Sequence, residues 1–306
     1  MGDEVRRVAI TGAGGFLGSA LVDSLRRDGH EVLPLVRGEP DRSAGEVRWD
    51  PGAGWVEADR LEGVHAVVHL AAESIDGRWT AAKKRRIRES RITGTRLIAD
   101  TLAALSARPE VLVSASAVGI YGQDRGAERL DETSAPGTDF LSRVALEWEA
   151  AAEPAARAGV RVVYTRFAMI LGADGGALGR MLPVFRLGGG GKMGGGGQWM
   201  SWVTREDAVR AIRFVIDEPT LRGAVNVAAP EPVTNATFTQ ELGKALHRPT
   251  LMSVPEIALH LAFGEMADAT ILASQRVLPE RLLQAGFQFS SPRIQQAFAS
   301  IVRSEG

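Results

Sequence analysis

The sequence predicts an α/β fold in which a doubly wound parallel sheet of the Rossmann type carries a small, mainly helical C-terminal segment. Short apolar runs alternate with longer helical segments, which is the rhythm of parallel strands joined by crossover helices. The first run leads into a glycine-rich turn, and 45% of the 306 residues are apolar, enough to bury a large core. Strands are predicted over residues 5–11, 31–36, 66–70, 111–116 and 161–166.

The turn after the first strand has the layout of a dinucleotide-binding turn. Gly12, Gly15 and Gly18 follow one another at intervals of three residues and precede a helix predicted over residues 19–25. Gly12 permits a backbone conformation that a side chain would strain, Gly15 lets the chain approach a pyrophosphate, and Gly18 lets the helix lie close to the strand. Free N–H groups at the helix N-terminus favour phosphates. Such turns can also be plain connectors, but the strands on both sides favour the binding interpretation.

The end of the second strand favours NADP(H) over NAD(H). NAD-binding turns carry an acidic residue there, about 20 residues after the glycines, which binds the ribose 2′-hydroxyl. This chain has Val36 followed by Arg37, and a guanidinium suits a 2′-phosphate. The alternative is that Arg37 is an ordinary exposed arginine and that Glu39 or Asp41 turns back to the ribose.

The middle of the chain continues the alternation of strands and helices. Residues 80–105 are predicted to form one long helix, whose basic start is interpreted as a solvated face rather than an anion site. Another helix runs from about residue 140 toward 158, and Pro154 has to kink or break it near its end. Glycines at 188–191 and 194–197 predict a mobile loop that can order over a ligand.

The last third adds one strand to the sheet and then becomes helical. A helix over residues 205–218 and a strand over 224–228 extend the Rossmann part, and Ser291 and Pro292 are predicted as N-cap and N1 of the last helix. The C-terminal segment is too short for a separate core, so we expect it over the carboxyl ends of the strands. The predicted division is a Rossmann part, residues 1–170 and 203–230, integrated with a substrate-side part, residues 171–202 and 231–306.

Composition narrows the function classes. The net charge is −1 without a basic stripe, which argues against nucleic acid as a partner. The absence of cysteine suits a reducing cytoplasm, and no apolar run or N-terminal pattern predicts a membrane span or an export signal. No metal site is expected, because the five histidines do not form a ligand-like cluster.

Three ordered motifs resemble the extended short-chain dehydrogenase/reductase superfamily. They are the TGxxGxxG turn, His69-Leu70-Ala71-Ala72 at a strand end, and Ser114-Ala115-Ser116 followed by Ile120-Tyr121-Gly122. More narrowly, the chain resembles the epimerase family proteins of sugar-nucleotide-epimerase type along essentially its whole length. Further matching stretches include Trp148-Glu149-Ala150-Ala151, residues 166–172 and Gln198-Trp199-Met200-Ser201-Trp202.

This resemblance implies a Rossmann fold, NADP(H) as cofactor and a small-molecule substrate, with sugar nucleotides as one class to consider and a homodimer as the assembly. It also implies which residues meet the cofactor, although several have plain alternatives as core residues and Arg91 as a surface charge. The implied cofactor-binding residues are Gly12, Gly15, Phe16, Leu17, Gly18, Val36, Arg37, Leu70, Ala71, Arg91, Ala115 and Met169.

The catalytic positions depart from the superfamily pattern. That chemistry uses a tyrosine and a lysine four residues later, whereas this chain has Phe140 and Val144 there. The candidate replacements are Ser116, Ser114 and Glu73. Ser116 is expected to donate a hydrogen bond to a substrate oxygen, and Glu73 to act as a base if it is partly buried.

Each catalytic candidate has a structural alternative. A serine can simply satisfy backbone groups in a turn, and Glu73 can form a salt bridge with Arg78. Two functions therefore stand: an NADP(H)-dependent oxidoreductase or epimerase-like enzyme with non-standard acid/base residues, or a non-catalytic NADP(H)-binding sensor.

Overall fold

The computed structural model describes residues 5–303 and contains a central β-sheet and ten α-helices within them. Its strands are β1 Arg7–Thr11, β2 Glu31–Val36, β3 Val47–Asp50, β4 Trp55–Val56, β5 Ala66–His69, β6 Val111–Ala117, β7 Asp124–Leu130, β8 Arg161–Phe167, β9 Met169–Leu171, β10 Gly191–Met193, β11 Trp199–Met200, β12 Trp202–Thr204, β13 Gly223–Val227, β14 Val233–Thr234, β15 Met252–Val254 and β16 Ser274–Val277. Its α-helices are α1 Phe16–Arg27, α2 Ala81–Ala104, α3 Phe140–Ala151, α4 Glu153–Arg157, α5 Gly176–Arg186, α6 Arg205–Asp217, α7 Asn235–Leu246, α8 Glu256–Phe263, α9 Glu280–Gln284 and α10 Ile294–Arg303.

The strand order of the main sheet is β13-β8-β6-β5-β1-β2-β3-β4, and every pair is parallel except β3 with β4. The chain moves outward in one direction from β1 through β2 and in the other from β1 through β5. The reversal makes the carboxyl ends of β1 and β5 a topological switch point, the place where open α/β sheets bind ligands. The predicted doubly wound Rossmann-type sheet is confirmed.

Helices cover both faces of this sheet because successive strand residues point to opposite sides. One apolar layer includes Ile10 in β1 and contacts α1 and α6, and the other includes Ala9 and contacts α2. Both layers are almost free of exposed surface. The carboxyl edge is thus the part of the sheet where polar side chains collect.

The five predicted strands each appear within two residues of their expected ends, and the late strand joins the sheet as β13. The predicted break near Pro154 is observed as two helices, with α3 ending at Ala151 and Pro154 in the first turn of α4. Proline lacks the N–H that would continue the α3 ladder.

Two local predictions are wrong. Ser291 and Pro292 do not cap the last helix, which begins at Ile294; instead the Ser291 backbone N–H donates to the Asp207 carboxylate in α6 at 2.9 Å. The glycine-rich segment is not wholly a loop, because Gly191–Met193 forms β10 and pairs with β15. A Cβ at Gly191 would lie 2.3 Å from the Met252 carbonyl oxygen, so this glycine permits a close strand contact.

Several strands outside the main sheet were not predicted from the sequence. They pair two by two, β7 with β16, β9 with β12, β10 with β15 and β11 with β14. Apart from β7, these strands have only two to four residues, too few to show alternation in a sequence. Within residues 5–303, no helix combines the length and the apolar character that crossing a bilayer requires.

Candidate functional site

The glycine turn between β1 and α1 is shaped for an anion. Gly12 has φ +70°, and a Cβ at Gly18 would lie 2.1 Å from the Gly12 carbonyl oxygen, so the turn closes tightly only with glycine at both positions. Gly14 and Gly15 are exposed, and no atom lies within 4 Å of a Cβ placed on Gly14. The first turn of α1 contains no acidic residue and its N-cap has no side-chain acceptor. The backbone N–H groups there are therefore available to phosphate oxygens.

The end of β5 is locked to the same turn by a hydrogen-bond cluster. The Thr11 hydroxyl oxygen lies 2.7 Å from His69 Nδ1 and accepts the backbone N–H groups of Leu70 at 3.1 Å and Ala71 at 3.2 Å. Because it accepts twice, its own proton goes to Nδ1, which assigns the proton of His69 to Nε2. A Cβ at Gly12 would meet the Ala71 nitrogen at 3.0 Å, so Leu70 and Ala71 lie directly against the turn.

His69 is buried in this cluster as a neutral imidazole. Desolvation lowers its pKa from 6.5 to about 4, because the charged form would lie among the apolar side chains between the sheet and α2. His69 Nε2 has no hydrogen-bond partner among the described residues. Its ring stands edge-on to Trp49 at 5.9 Å between centroids.

The burial of neutral His69 makes the free energy of unfolding decrease as the pH falls. The unfolded histidine takes up a proton near pH 6.5 and the folded one near 4, so stability is fully present above pH 6.5 and is lost as the pH falls toward 4. Urea unfolding of wild type and His69→Gln should show the wild type losing about 2–3 kcal/mol more between pH 7 and pH 4.5. A wild-type-minus-variant difference that stays constant over this range would contradict the prediction.

The end of β2 presents an uncommitted guanidinium. Arg37 is exposed and makes no hydrogen bond or ion pair within residues 5–303. The two carboxylates that could have competed for a ribose have other partners. Asp41 accepts from the Ser43 hydroxyl at 2.6 Å and its backbone N–H at 2.9 Å, which lowers the pKa of Asp41, and Glu39 pairs with Arg48 at 3.3 Å. The arrangement favours the 2′-phosphate interpretation of Arg37.

Arg91 is largely buried between α2 and its neighbours rather than exposed on the surface. It projects from α2, donates to the carbonyl oxygens of Glu73 and Ile87 at 3.0 Å each, and stacks on the Trp148 ring at 5.0 Å. Burial lowers the pKa of Arg91 to about 10, and the charge of Glu73 opposes that shift. The alternative of a plain surface charge is wrong for this arginine.

A buried polar network closes the carboxyl ends of β6, β8 and β13. The Ser116 hydroxyl donates to Glu149 at 2.7 Å, and Arg166 binds both oxygens of Glu149 at 2.8 and 2.9 Å. Arg166 also donates to the Tyr121 hydroxyl at 3.0 Å, which in turn donates to Asn226 at 2.7 Å. Burial alone would lower the pKa of Arg166, but the bonds to Glu149 raise it, so the guanidinium stays charged.

This network changes what Ser116 can offer. Ser116 is 2% exposed and its proton is directed at Glu149, so the group left for a ligand is an oxygen lone pair rather than the expected proton. Sequence reasoning missed Glu149, Arg166 and Asn226 as partners. Glu149 and Arg166 stood in motifs that carried the resemblance, but only the sheet register places Arg166 beside both Ser116 and Asn226.

The other two catalytic candidates differ in their surroundings. Ser114 is fully buried, and its hydroxyl has no hydrogen-bond partner in the described part of the chain. Glu73 pairs with Lys83 at 2.9 Å and with Arg86 at 3.6 Å, and the Lys83 bond lowers the pKa of Glu73. The salt bridge foreseen as its alternative role therefore exists, but with partners other than Arg78, which donates to the Leu261 carbonyl oxygen.

Apolar packing surrounds Phe140 and Val144, the residues expected at the tyrosine and lysine positions of the superfamily. The Phe140 ring lies 5.4 Å from the Trp79 ring, and the Lys84 ammonium is 4.5 Å from the Phe140 ring centroid. Val144 is 3% exposed. Neither residue at these positions can transfer a proton.

The remaining predicted cofactor residues differ in how far they are buried. Leu17 and Ala115 are buried, whereas Val36 is half-buried. Met169 packs on the cluster formed by α5, α7 and α10. Phe16, the first residue of α1, is half-buried against a glycine-rich loop after β9.

A separate cavity of about 560 Å³ lies between β7, the glycine-rich segment and α8. Its lining includes three carboxylates, Asp124, Glu256 and Asp268, and one aromatic side chain, Trp199. Trp202, by contrast, is fully buried in the core. No group of three or more histidine, aspartate or glutamate side chains is placed to hold a metal ion anywhere in residues 5–303.

Comparison with known proteins gives consistent matches along the chain. Residues 8–228 match the NAD dependent epimerase/dehydratase family, and residues 254–301 match a domain of unknown function, DUF1731. Epimerase family protein MT2273 of Mycobacterium tuberculosis is 43% identical over 291 residues, 95% of each chain. The crystal structure of human epimerase family protein SDR39U1 with NADPH aligns with a TM-score of 0.89 at 32% identity, covering 97% of this chain and 99% of that one. A nucleoside-diphosphate sugar epimerase from Corynebacterium glutamicum aligns with a TM-score of 0.80 at 37% identity, covering 98% of this chain and 58% of that one.

Proposed function

Because the chain belongs to the NAD dependent epimerase/dehydratase family, we propose that it binds NADP(H) and acts as an oxidoreductase or epimerase-like enzyme on a small molecule. One observation carries the cofactor assignment: an open glycine turn lies beside Arg37, which has no partner within residues 5–303, while Glu39 and Asp41 are engaged elsewhere. The similar human protein was crystallised with NADPH. When bound, NADP(H) would supply or accept a hydride.

The proposed cofactor residues divide by what they would do. The glycine turn with Phe16 and Leu17 would hold the pyrophosphate at the N-terminus of α1, and Val36 with Arg37 would hold the adenosine ribose phosphate. Leu70 and Ala71 would be positioned by the Thr11–His69 cluster. Arg91, Ala115 and Met169 would complete the nicotinamide side of the cleft.

Among the catalytic candidates we place Ser116 first. Its proton is held by Glu149, so its oxygen would accept a hydrogen bond from a substrate hydroxyl. Ser114, two residues earlier on the same face of β6, is our second candidate because its hydroxyl has no hydrogen-bond partner within residues 5–303. Glu73 ranks third as a base, since the Lys83 bond that lowers its pKa also weakens it as a proton acceptor.

We infer that the usual tyrosine–lysine pair is missing. Phe140 and Val144 occupy its expected positions, and the apolar packing of Phe140 on Trp79 favours the alternative of a non-catalytic NADP(H) sensor. The substrate class also stays a proposal. Sugar nucleotides are candidates because structural neighbours include a nucleoside-diphosphate sugar epimerase. A homodimer in the cytoplasm is the proposed assembly and location.

Binding and turnover measured together test this function. Isothermal titration calorimetry should give a Kd for NADPH well below that for NADH. A panel of sugar nucleotides and carbonyl compounds, followed by NADPH absorbance, should then contain at least one substrate that is turned over. Tight NADPH binding without turnover of any compound would favour the sensor, and absence of NADPH binding would overturn both functions.

A further inference from the structure

A second arginine lies close to the glycine turn. Arg205, the first residue of α6, places its guanidinium carbon 4.9 Å from the centroid of the Phe16 ring. Phe16 directly follows Gly15 and begins α1, so this guanidinium lies beside the helix N-terminus that the glycine turn leaves open. The contact joins two elements that are far apart in sequence and that only the fold brings together.

The Phe16 ring is held in place by a glycine-rich loop between β9 and α5. Cβ atoms on Gly172 and Gly175 would lie 2.7 and 2.6 Å from ring atoms of Phe16, so only glycine lets the loop approach this closely. A third glycine, Gly176, has φ +64° and would place its Cβ 3.3 Å from the ring. The aromatic face that supports Arg205 therefore has a fixed position.

The guanidinium has one partner, and that partner is easily exchanged. Arg205 Nη1 donates to Asp174 Oδ2 at 2.7 Å, and Arg205 makes no other hydrogen bond within residues 5–303. The side chains of Asp174 and Arg205 are 63% and 30% exposed, and an ion pair in contact with water contributes little to stability. A phosphate oxygen would accept the same hydrogen bond with a higher charge and can bind a guanidinium through two N–H groups.

We propose that Arg205 is a cofactor-binding residue that exchanges Asp174 for a pyrophosphate oxygen when NADP(H) binds. The proposal rests on the proposed function and adds a residue to it. Neither Arg205 nor Asp174 belongs to the TGxxGxxG turn. With Asp174 as the resting partner, the free protein keeps the arginine on the Phe16 ring, so little side-chain freedom remains to be lost on binding.

Calorimetry with NADPH on single and double variants tests the exchange. Arg205→Ala should raise the Kd about tenfold. Arg205→Lys should raise it less, because the ammonium group keeps the positive charge but cannot donate two parallel hydrogen bonds to a phosphate. Asp174→Asn should lower the Kd, because it removes a negative charge near the phosphates and replaces a carboxylate acceptor with a weaker neutral one. In the Arg205→Ala/Asp174→Asn protein that gain should shrink, since no arginine remains to be released.

A ligand without the pyrophosphate separates binding from a structural role. Adenosine 2′-monophosphate, titrated by NMR, should bind Arg205→Ala and wild type equally. The matched control Arg157→Ala removes an exposed ion pair on α4 and should bind NADPH as wild type does. Equal NADPH affinity of wild type and Arg205→Ala would overturn the proposal, as would equal losses for both ligands. If the wild type does not bind NADPH, the proposed function fails together with the role of Arg205. This outcome is seen in the wild-type titration alone, whereas failure of the Arg205 role alone is seen only by comparing wild type with the variant.

Discussion

Replacing Arg37 with alanine is expected to raise the Kd for NADPH by about 10- to 100-fold, the loss typical of a hydrogen-bonded charge pair with a phosphate. The Kd for NADH should change little, because NADH carries a 2′-hydroxyl in place of the 2′-phosphate and so offers Arg37 no anionic group to bind. The structure supports this prediction by leaving Arg37 exposed and, in the described part of the chain, without a partner, while Asp41 accepts the Ser43 backbone N–H. Calorimetry with both dinucleotides on wild type and variant measures the change.

The control for Arg37→Ala is Arg27→Ala. Arg27 is also exposed but lies in the last turn of α1, at the end of the helix far from the glycine turn. Loss of one positive charge there should leave both dissociation constants near the wild-type values. A preference for NADPH that survives Arg37→Ala would refute the 2′-phosphate role and return the cofactor choice to another residue.

Replacing Glu149 with alanine should be the most destabilising single substitution considered, at about 3–5 kcal/mol of unfolding free energy. The side chains of Glu149 and Arg166 are only 12% and 10% exposed, so the variant would leave the Arg166 guanidinium buried without its counter-charge. Ser116 would also lose the acceptor for its proton. Urea unfolding of wild type and variant measures the loss.

Two further proteins separate the buried pair from the helix that carries it. Glu147→Ala lies on the same helix but removes an ion pair with Arg88 in which both side chains are half exposed, so it should cost less than about 1 kcal/mol. The double variant Glu149→Leu/Arg166→Met should recover much of the loss, because apolar residues of similar size need no counter-charge. A cost below about 1 kcal/mol for Glu149→Ala would show that the network contributes little to the fold.

The glycine turn and the arginine after β2 were predictable because they depend only on residues close to them in the chain. Gly12, Gly15 and Gly18 are needed by a single strand–turn–helix unit, and Arg37 closes the next strand. Local spacing therefore carries the information. The polar network was not predictable for the opposite reason. Glu149 meets Ser116 across 33 residues and Arg166 across 17, and nothing in the spacing indicates either contact.

The failed local predictions have the same physical origin. Ser291 has the right residue type for a helix N-cap, but the buried Asp207 carboxylate binds its backbone N–H and the helix starts three residues later. The glycines near residue 191 indicated a loop, because a run of glycines in a sequence indicates a flexible backbone and does not reveal what the segment packs against. In the fold, the absence of a side chain at Gly191 lets β10 and β15 approach each other, and this close contact rather than backbone flexibility is the reason for glycine there.

The sequence by itself determined the alternation of strands and helices, the glycine turn and the charge at the end of the second strand. Each of these depends on periodicity or on contacts within about 30 residues. Only the tertiary structure decided which polar groups have partners. Among residues 5–303 it left Arg37 without one, gave the Ser116 proton to Glu149, and placed Arg205 on Phe16 across 189 residues. Hydrogen bonds and ion pairs act over a few ångströms, so their partners are known only once the fold has brought distant segments together.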